Sequence, residues 1–398
     1  MNKNTRIVIL GAGYTGMLAA VRLAHRTRRL GTRITLVNAN ERFAERLRMH
    51  QVAAGHKLGD YRIPEILAGT GVEFVRGWAT HIDPARRRIT VATHAPEPTL
   101  LTYDTLVYAL GSSTDTSIVP GATEHAFTLN GQHASQEIAA RLPDLAAQGG
   151  NLTVCGGGLT GIEVATEIAE NNPGLNVTLL SRDVPGAMMG EKARAYLHRA
   201  MDRLGVATRV GAVVARVQPA TVELASGEIL PSDLTIWTAG VRVSQLATTS
   251  GITTDSRGLI VVDAGLRSVS HPNIYAIGDA AAIRLAWGQI HGTCQSGMPS
   301  AQYVADAITR HLRGKNVKPF RYGYWHQPVS IGRKDAVIQF TFADDRPRRI
   351  YLKGKWAIWY KEMVSSSPLK LYRYSKHINV SATLSKGGRL TRTPATAQ

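Results

Sequence analysis

Cysteine is nearly absent from this sequence of 398 residues, which contains only Cys155 and Cys294. Two thiols are too few for a disulfide framework or a four-cysteine metal site, so we predict no metal centre and a reducing compartment. Long apolar runs are also missing: no stretch reaches the roughly 18 apolar residues of a membrane span. Residues 7–10 form too short a run for the apolar core of a signal peptide. These absences favour a soluble, cytoplasmic protein.

Acidic residues are scarce: 29 Asp and Glu face 47 Lys and Arg, a net charge of +18. The imbalance is uneven, because residues 346–398 hold 12 Lys and Arg but a single acid, Glu362. Such an excess suggests an anionic partner, whether nucleotide, nucleic acid, acidic substrate or lipid. The basic segment contains no zinc pattern, RNA-binding motif or aromatic stacking pattern, so nucleic acid is the least favoured of these.

Hydrophobic residues make up 44% of the sequence, and its first 310 residues alternate apolar runs with helical patterns, which indicates an α/β fold. A strand at residues 5–10 leads through a glycine loop and a helix to a strand at 33–37. The same order restarts at residues 151–155 and ends in a strand at 176–180. The repeat predicts two Rossmann-like dinucleotide-binding domains, one inserted in the other.

Changes in composition place the domain boundaries. We expect the first domain to be discontinuous, formed by residues 1–118 and 250–313, with residues 119–249 as the inserted domain. Beyond Gly314 the pattern becomes basic and aromatic. Residues 314–398 are therefore predicted to form a small C-terminal α+β segment.

The first glycine loop carries the spacing G-x-G-x-x-G at Gly11, Gly13 and Gly16, directly after a strand and before a helix. The first glycine permits a tight turn, the second lets the backbone approach a pyrophosphate, and the third lets helix and strand pack closely. The helix N-terminus then offers free N–H groups to the phosphates. Asn38 stands where an acid usually binds the ribose, and its amide can still hydrogen-bond a hydroxyl.

The second loop repeats the motif at Gly156, Gly158 and Gly161. At the end of the next strand, Ser181 and Arg182 replace the acid that would bind the 2′-hydroxyl of NADH. A hydroxyl and a planar cation suit the 2′-phosphate of NADPH, although Arg182 has equal claim to be a solvated surface residue.

A third signal lies at Gly278 and Asp279, after an apolar strand. The carboxylate of Asp279 can accept a hydrogen bond from a polyol hydroxyl, or it can simply cap a helix.

These motifs resemble the two-dinucleotide-binding-domain flavoproteins, the pyridine nucleotide–disulfide oxidoreductase superfamily, and within it the type II NADH dehydrogenases. The resemblance is specific over residues 5–312 and looser beyond. It implies FAD on the first domain and NADPH or NADH on the second. The implied FAD contacts are Gly11, Ala12, Gly13, Gly16, Asn38, Arg48, Gly111, Gly278 and Asp279. The implied nicotinamide nucleotide contacts are Gly156, Gly158, Gly161, Ser181, Arg182 and Gly240.

The resemblance also implies catalytic residues. Glu163 matches a family glutamate near the nicotinamide, and Gln295 matches the first glutamine of a quinone motif whose second position is Pro299 here. His50 and Arg48 fall where the family chain passes the isoalloxazine, so His50 could relay a proton and Arg48 could stabilise the reduced flavin. Each has a structural alternative; Glu163, for example, could be an acid that complements the helix dipole.

The disulfide branch of the superfamily needs two cysteines near residues 40–55, and residues 43–55 contain none. The resemblance therefore implies an FAD-dependent oxidoreductase that passes hydride from NAD(P)H to flavin and electrons directly to a quinone-like or small aromatic acceptor. One alternative acceptor is an electron-carrier protein such as a ferredoxin or rubredoxin. Another alternative is a flavoprotein similar to apoptosis-inducing factor, with a basic surface that binds nucleic acid.

The C-terminal segment is predicted to form strands at 337–342 and 348–353 and a short helix at 355–364. That helix would carry one apolar face, made of Trp356, Trp359, Tyr360, Met363 and Val364. The resemblance implies a helix that lies on the inner face of a membrane. Packing on the flavin domain, a homodimer contact and an acidic redox protein are the alternatives.

Overall fold

The computed structural model describes residues 4–391. The N-terminal third begins with a strand, a glycine loop and a helix, in the order that the sequence predicts. Its strands are β1 (Thr5–Leu10), β2 (Thr32–Asn38), β3 (Glu73–Arg76), β4 (Trp78–Asp83), β5 (Arg88–Ala92), β6 (Thr99–Thr102), β7 (Thr105–Tyr108), β8 (Ser112–Thr114) and β9 (Ala126–Phe127). Its helices are α1 (Tyr14–Thr27), α2 (Met49–Ala53), α3 (Ile63–Leu67) and α4 (Ala122–His125).

The middle of the chain repeats this order after a long helix. Its strands are β10 (Asn151–Cys155), β11 (Asn176–Ser181), β12 (Ala207–Val210), β13 (Val214–Val217), β14 (Thr221–Leu224), β15 (Ile229–Pro231), β16 (Leu234–Trp237) and β17 (Val241–Val243). Its helices are α5 (Gln132–Ala147), α6 (Leu159–Asn171), α7 (Glu191–Arg203) and α8 (Leu246–Thr249).

The last part of the chain returns to the first unit and then adds new structure. Its strands are β18 (Ile260–Val261), β19 (Ile274–Ala276), β20 (Ala281–Ala282), β21 (Arg284–Leu285), β22 (Gly288–Gln289), β23 (His326–Ser330), β24 (Ala336–Thr341) and β25 (Pro347–Lys353). Its helices are α9 (Cys294–Leu312) and α10 (Gly354–Ser375), and short 3-10 turns lie at Arg46–Arg48, Gly278–Ala280 and Gly388–Thr391.

Two parallel sheets confirm the predicted α/β fold with two Rossmann-like units. The first has the strand order β19-β7-β1-β2-β3 and the second β12-β11-β10-β16-β9. Strands β1 and β10 are central, so their apolar side chains are buried. Because β19 follows the second unit in sequence but pairs with β7, the second unit is an insertion. The exact domain boundaries stay a prediction.

The C-terminal segment forms an antiparallel sheet, β23-β24-β25, and helix α10. The predicted strands fall within one residue of β24 and β25, but the predicted short helix was wrong, since α10 runs for 22 residues. The helix continues past Pro368 because its later turns pack on the first unit, where Tyr372 is fully buried. Among residues 4–391 we find no helix long and apolar enough to cross a membrane.

Candidate active site

The first glycine loop has the geometry of a phosphate cradle. Gly11 adopts a positive φ of 96°, and a Cβ on Gly16 would overlap the carbonyl oxygen of Gly11. Around Gly13 there is open space where a ligand can approach the backbone. The amide of Asn38 braces the loop, because its Oδ1 accepts a 2.9 Å hydrogen bond from the N–H of Ala12. No side chain caps α1, which leaves its first N–H groups free for an anion.

The second loop repeats this geometry at the start of α6. A Cβ on Gly161 would overlap the carbonyl oxygen of Gly156, and the space around Gly158 is again open. Helix α6 has no side-chain cap and no acid in its first turn. The backbone geometry of both loops therefore fits the pyrophosphate of a dinucleotide.

Ser181 lies at the end of β11 against the second loop, where the sequence predicts a ribose contact. Its hydroxyl donates to the backbone oxygen of Asp183. Arg182 points into solvent and pairs with the carboxylate of Asp183 across 3.3 Å. The guanidinium therefore lies at the rim of the second site, held by one exposed partner that a bound phosphate could displace.

Asp279 lines a cleft of about 250 Å³ together with Gly278, Ser112 and His291. The Ser112 hydroxyl donates a 2.7 Å hydrogen bond to the Asp279 carboxylate. Arg46 reaches the edge of this cleft, because its guanidinium donates to the Ser112 carbonyl oxygen. The first site thus extends from the glycine loop to Asp279, which suits a long dinucleotide. Gly111 and Gly240 lie just beyond β7 and β16, at the carboxyl edges of the two sheets.

Glu163 is the centre of a buried polar cluster where both units and the C-terminal segment meet. Lys361 Nζ of α10 lies 2.6 Å from Glu163 Oε1. The N–H and hydroxyl of Ser330 each donate to the same oxygen at 3.1 Å. His50 Nδ1 lies 3.8 Å from Glu163 Oε2. Burial alone would raise the pKa of Glu163, but the Lys361 ammonium, His50 and the Ser330 hydrogen bond hold it below the usual range.

His50 does not match the expectation of a group that titrates near neutral pH. Burial lowers the pKa of His50 to about 4, and the nearby Glu163 only partly offsets this effect. The imidazole is therefore neutral at pH 7. It can still pass a proton between its two ring nitrogens, and its catalytic role stays a prediction.

Arg48 and Gln295 both attach the C-terminal segment to the first unit. Arg48 pairs with Glu362 of α10 and lies 3.4 Å from Glu45, so its charge is largely compensated. The Gln295 amide donates to the His326 carbonyl oxygen and accepts from the Trp325 N–H, each at 2.7 Å. Pro299 lies inside α9, one turn further on.

The two sites converge at the N-terminus of α9. Cys294 is half-buried there, and loss of solvent around the thiol raises its pKa to about 11. The charges of Lys361, Asp279 and Glu163 all act on this thiol. The first cleft and the Glu163 cluster are therefore neighbours, whereas Ser181 and Arg182 lie at the outer end of the second site.

The sequence analysis does not predict three residues of the site, namely Lys361, Ser330 and Arg46. Lys361 lies in the predicted helix, but on the face opposite Trp356 and Trp359, which belong to the predicted apolar face. Ser330 and Lys361 meet Glu163 only because chain segments far apart in sequence fold together. Arg46 lies two residues before Arg48, the cation that the sequence analysis names in this loop.

Comparisons with known proteins agree with this geometry. The sequence profile of the pyridine nucleotide-disulphide oxidoreductase family matches residues 4–305. An NADH dehydrogenase-like protein from Mycobacterium tuberculosis is 31% identical over 386 residues, covering 91% of this chain and 93% of that protein. A type II NADH:quinone oxidoreductase from Staphylococcus aureus is 26% identical over 393 residues, covering 91% and 94%.

The fold is similar to that of the sulfide:quinone oxidoreductase from Aquifex aeolicus, with a TM-score of 0.80 at 19% identity over 93% of this chain and 92% of that one. The family match includes both glycine loops, Glu163 and Asp279. The chain therefore belongs to the pyridine nucleotide-disulphide oxidoreductase family, and it is an oxidoreductase.

Proposed function

We propose that this protein is an FAD-dependent oxidoreductase that takes hydride from NADPH or NADH and reduces a quinone-like or small aromatic acceptor. The observation that supports this most is the convergence of two glycine-loop sites at the Glu163 cluster. When bound, the flavin would accept a hydride from the nicotinamide nucleotide and pass two electrons to the acceptor. No side chain supplies this chemistry. The protein contributes positioning, electrostatics and protons.

The residues of the first site divide the work of holding FAD. The free N–H groups at the start of α1 would bind the pyrophosphate, and Asp279 would accept a hydrogen bond from the ribityl chain. Arg46 adds a positive charge over the same cleft. Because Arg48 is already paired with two carboxylates, we assign to it the anchoring of α10 beside the flavin.

NADPH is our proposed preference in the second site. No acid follows β11 directly, and Arg182 can exchange its exposed partner Asp183 for a 2′-phosphate. The substitution Arg182→Glu should reverse the ratio of kcat/KM for NADPH over NADH, since a carboxylate repels the phosphate. The exposed Arg86→Glu, whose arginine already pairs with Asp83, is the matched control. A ratio that favours NADH in the wild type, or that Arg182→Glu leaves unchanged, would contradict the preference.

A quinone is our proposed acceptor because the Staphylococcus aureus relative is a type II NADH:quinone oxidoreductase and the Aquifex aeolicus structure is that of a sulfide:quinone oxidoreductase. The residues before Gly55 also lack the cysteine pair of a disulfide relay. The test is steady turnover with menadione and a short-chain ubiquinone, compared with an acidic ferredoxin and a rubredoxin. We expect turnover with quinones. Turnover with the carrier proteins alone would assign the chain to the alternative, a reductase of an electron carrier.

We also propose that the protein lies peripherally on the inner face of the membrane. Trp356 and Trp359 of α10 are 75% and 62% exposed, and Met363 beside them is exposed as well. This exposed face does not pack on the flavin unit, which argues against the alternative that it packs there. Tyr360, by contrast, turns inward and its hydroxyl lies 2.6 Å from His326 Nδ1. An acidic redox protein and a second copy of the chain are the other candidate occupants.

A further inference from the structure

Helix α6 carries a second buried carboxylate, one turn beyond Glu163, for which the proposed reaction has no role so far. Glu167 is 0% exposed. Neither of its oxygens accepts a hydrogen bond from any residue within 4–391. A buried carboxyl group without hydrogen bonds is costly unless it is protonated for part of the time. Such a group is suited to accepting and releasing protons.

Glu167 connects the buried cluster with the protein surface. His56 Nε2, in the loop after α2, lies 3.2 Å from Glu167 Oε1, and its side chain is 40% exposed. The amide of Asn171 lies 2.8 Å from the same ring nitrogen and holds the imidazole in place. On the inner side, His50 Nε2 lies 4.0 Å from Glu167 Oε2.

The chain of polar atoms continues inward to Glu163. His50 Nδ1 lies 3.8 Å from Glu163 Oε2, and the Ser330 hydroxyl bridges the two at 3.3 Å from His50 Nε2 and 3.1 Å from Glu163 Oε1. The widest gap closes to hydrogen-bond length with a side-chain movement of about 1 Å. A row of groups that can exchange protons therefore runs from solvent to the place where the two sites meet, with separations of 3.8 and 4.0 Å on the two sides of His50.

We propose that Glu167 and His56 are the outer half of a proton path that supplies the reduction of the acceptor. This inference rests on the proposed function. The hydride brings two electrons and one proton, whereas conversion of a quinone to a quinol consumes two electrons and two protons. One proton per turnover must therefore come from water. It passes from solvent through His56, Glu167 and His50 to Glu163, and each group returns to its starting state.

The charges around Glu167 suit this role. Burial is the largest influence and raises its pKa to about 7, so the carboxyl group is half protonated near neutral pH. Arg333, in the turn between β23 and β24, opposes burial, whereas Glu170 and Glu163 reinforce it. Burial and Arg333 lower the pKa of His56, which keeps this entry residue mostly neutral. The charged or titratable groups that face Glu167 are Glu163, Glu170, His50, His56, Arg333 and Lys361.

The test compares quinone with ferricyanide, which takes electrons but no protons. In Glu167→Gln and His56→Ala we expect the ratio of quinone to ferricyanide turnover to fall roughly tenfold, as for loss of a general acid. Added imidazole should restore the ratio in His56→Ala. The control pair is His133 and Glu137, an exposed histidine and glutamate 3.6 Å apart on α5. Its variants Glu137→Gln and His133→Ala should leave the ratio unchanged.

A second measurement follows the carboxyl group itself. In the holoenzyme with ¹³C-labelled glutamate, one carboxyl signal should titrate with a midpoint of about 7 and be missing in Glu167→Gln. A quinone-to-ferricyanide ratio that stays unchanged in both relay variants, or the absence of that titration, would overturn the path. A wild-type protein that reduces ferricyanide but no quinone would instead overturn the proposed acceptor. The two failures are therefore distinguishable.

Discussion

At the scale of single residues, two glycines let the loop of each unit adopt the conformation that can bind a dinucleotide. A side chain on Gly16 would collide with Gly11, and one on Gly161 with Gly156. Each collision would displace a loop at a cost of roughly 1–3 kcal/mol, about a tenfold or larger rise in Kd. The two positions are equivalent in their own units, so substitutions there separate the two proposed sites.

We therefore expect Gly16→Ala to be purified with little or no FAD. Gly161→Ala should keep its FAD and its yellow colour but require at least about tenfold more NADPH for reduction. Absorbance of the purified proteins and anaerobic titration with NADPH check both outcomes. If Gly161→Ala lost the flavin and Gly16→Ala kept it, the assignment of the two loops would be reversed.

Two buried histidines predict how stability depends on pH. Burial lowers the pKa of both His50 and His326 to about 4, whereas the unfolded chain binds those protons near pH 6.5. Their contribution is therefore complete above pH 6.5 and is lost as the pH falls towards 4. Glu167 acts in the opposite direction, because its pKa is raised, and it favours the folded state as the pH falls from about 7.

Replacing one histidine isolates its contribution. In His326→Gln, the loss of unfolding free energy between pH 6.5 and 4.5 should be smaller than in the wild type, by up to roughly 3 kcal/mol. Urea unfolding at the two pH values measures this difference. His133→Gln, at a site 90% exposed, should behave as the wild type. Equal pH dependence in all three proteins would show that folding does not lower the pKa of His326.

At the scale of elements, α10 fastens the C-terminal segment to both sites. Its Lys361 and Glu362 reach Glu163 and Arg48. Less than one turn before its end, the Tyr372 hydroxyl donates a 3.0 Å hydrogen bond to the carbonyl oxygen of Tyr14, within the first glycine loop motif. The helix therefore stabilises the loop that we assign to FAD.

Removing the Tyr372 hydroxyl should loosen that loop. We expect Tyr372→Phe to lose about 1 kcal/mol of stability, since it removes the hydrogen bond of a fully buried side chain, and to release FAD faster on dilution. Tyr374→Phe, at an exposed position of the same helix, is the control. Thermal unfolding and flavin fluorescence measure both effects. An unchanged rate of FAD release would separate α10 from the flavin site.

The elements also show how far the sequence could be interpreted. Both glycine loops and their strands were predictable because the signals are local: residues 11–16 and 156–161 carry their own turn geometry. The length of α10 was not, since its second half is held by contacts with the first unit. The pairing of Glu163 with Lys361 joins residues 198 positions apart, and no spacing rule predicts such a meeting. Glu163 and His50 are the members of that cluster that the sequence analysis identified, whereas Glu167 is not among its candidates.

At the scale of the whole molecule, the net charge of +18 comes largely from residues 346–398. The exposed tryptophans of α10 belong to the basic C-terminal segment, and this combination is typical of a surface that lies against anionic lipid. The inward face of the same helix reaches the Glu163 cluster. A protein held on a membrane by this face would hold its acceptor site close to an apolar quinone.

Vesicle sedimentation tests this arrangement. We expect the wild type to bind vesicles that contain anionic lipid and to dissociate as salt is added. The double substitution Trp356→Ala and Trp359→Ala should abolish binding. Trp78→Ala, which removes a tryptophan 67% exposed on β4, is the matched control. Binding that survives the double substitution, or dimers that disappear with it, would indicate a different occupant for this face.

The central claim is that one protein carries hydride from a nicotinamide nucleotide to a flavin and electrons onward to a quinone. Anaerobic stopped-flow absorbance with two successive mixing steps tests it most directly. One equivalent of NADPH should bleach the flavin band, and menadione added second should restore it within a turnover. A flavin that NADPH or NADH cannot bleach, or a bleached flavin that quinone leaves reduced, would contradict the account.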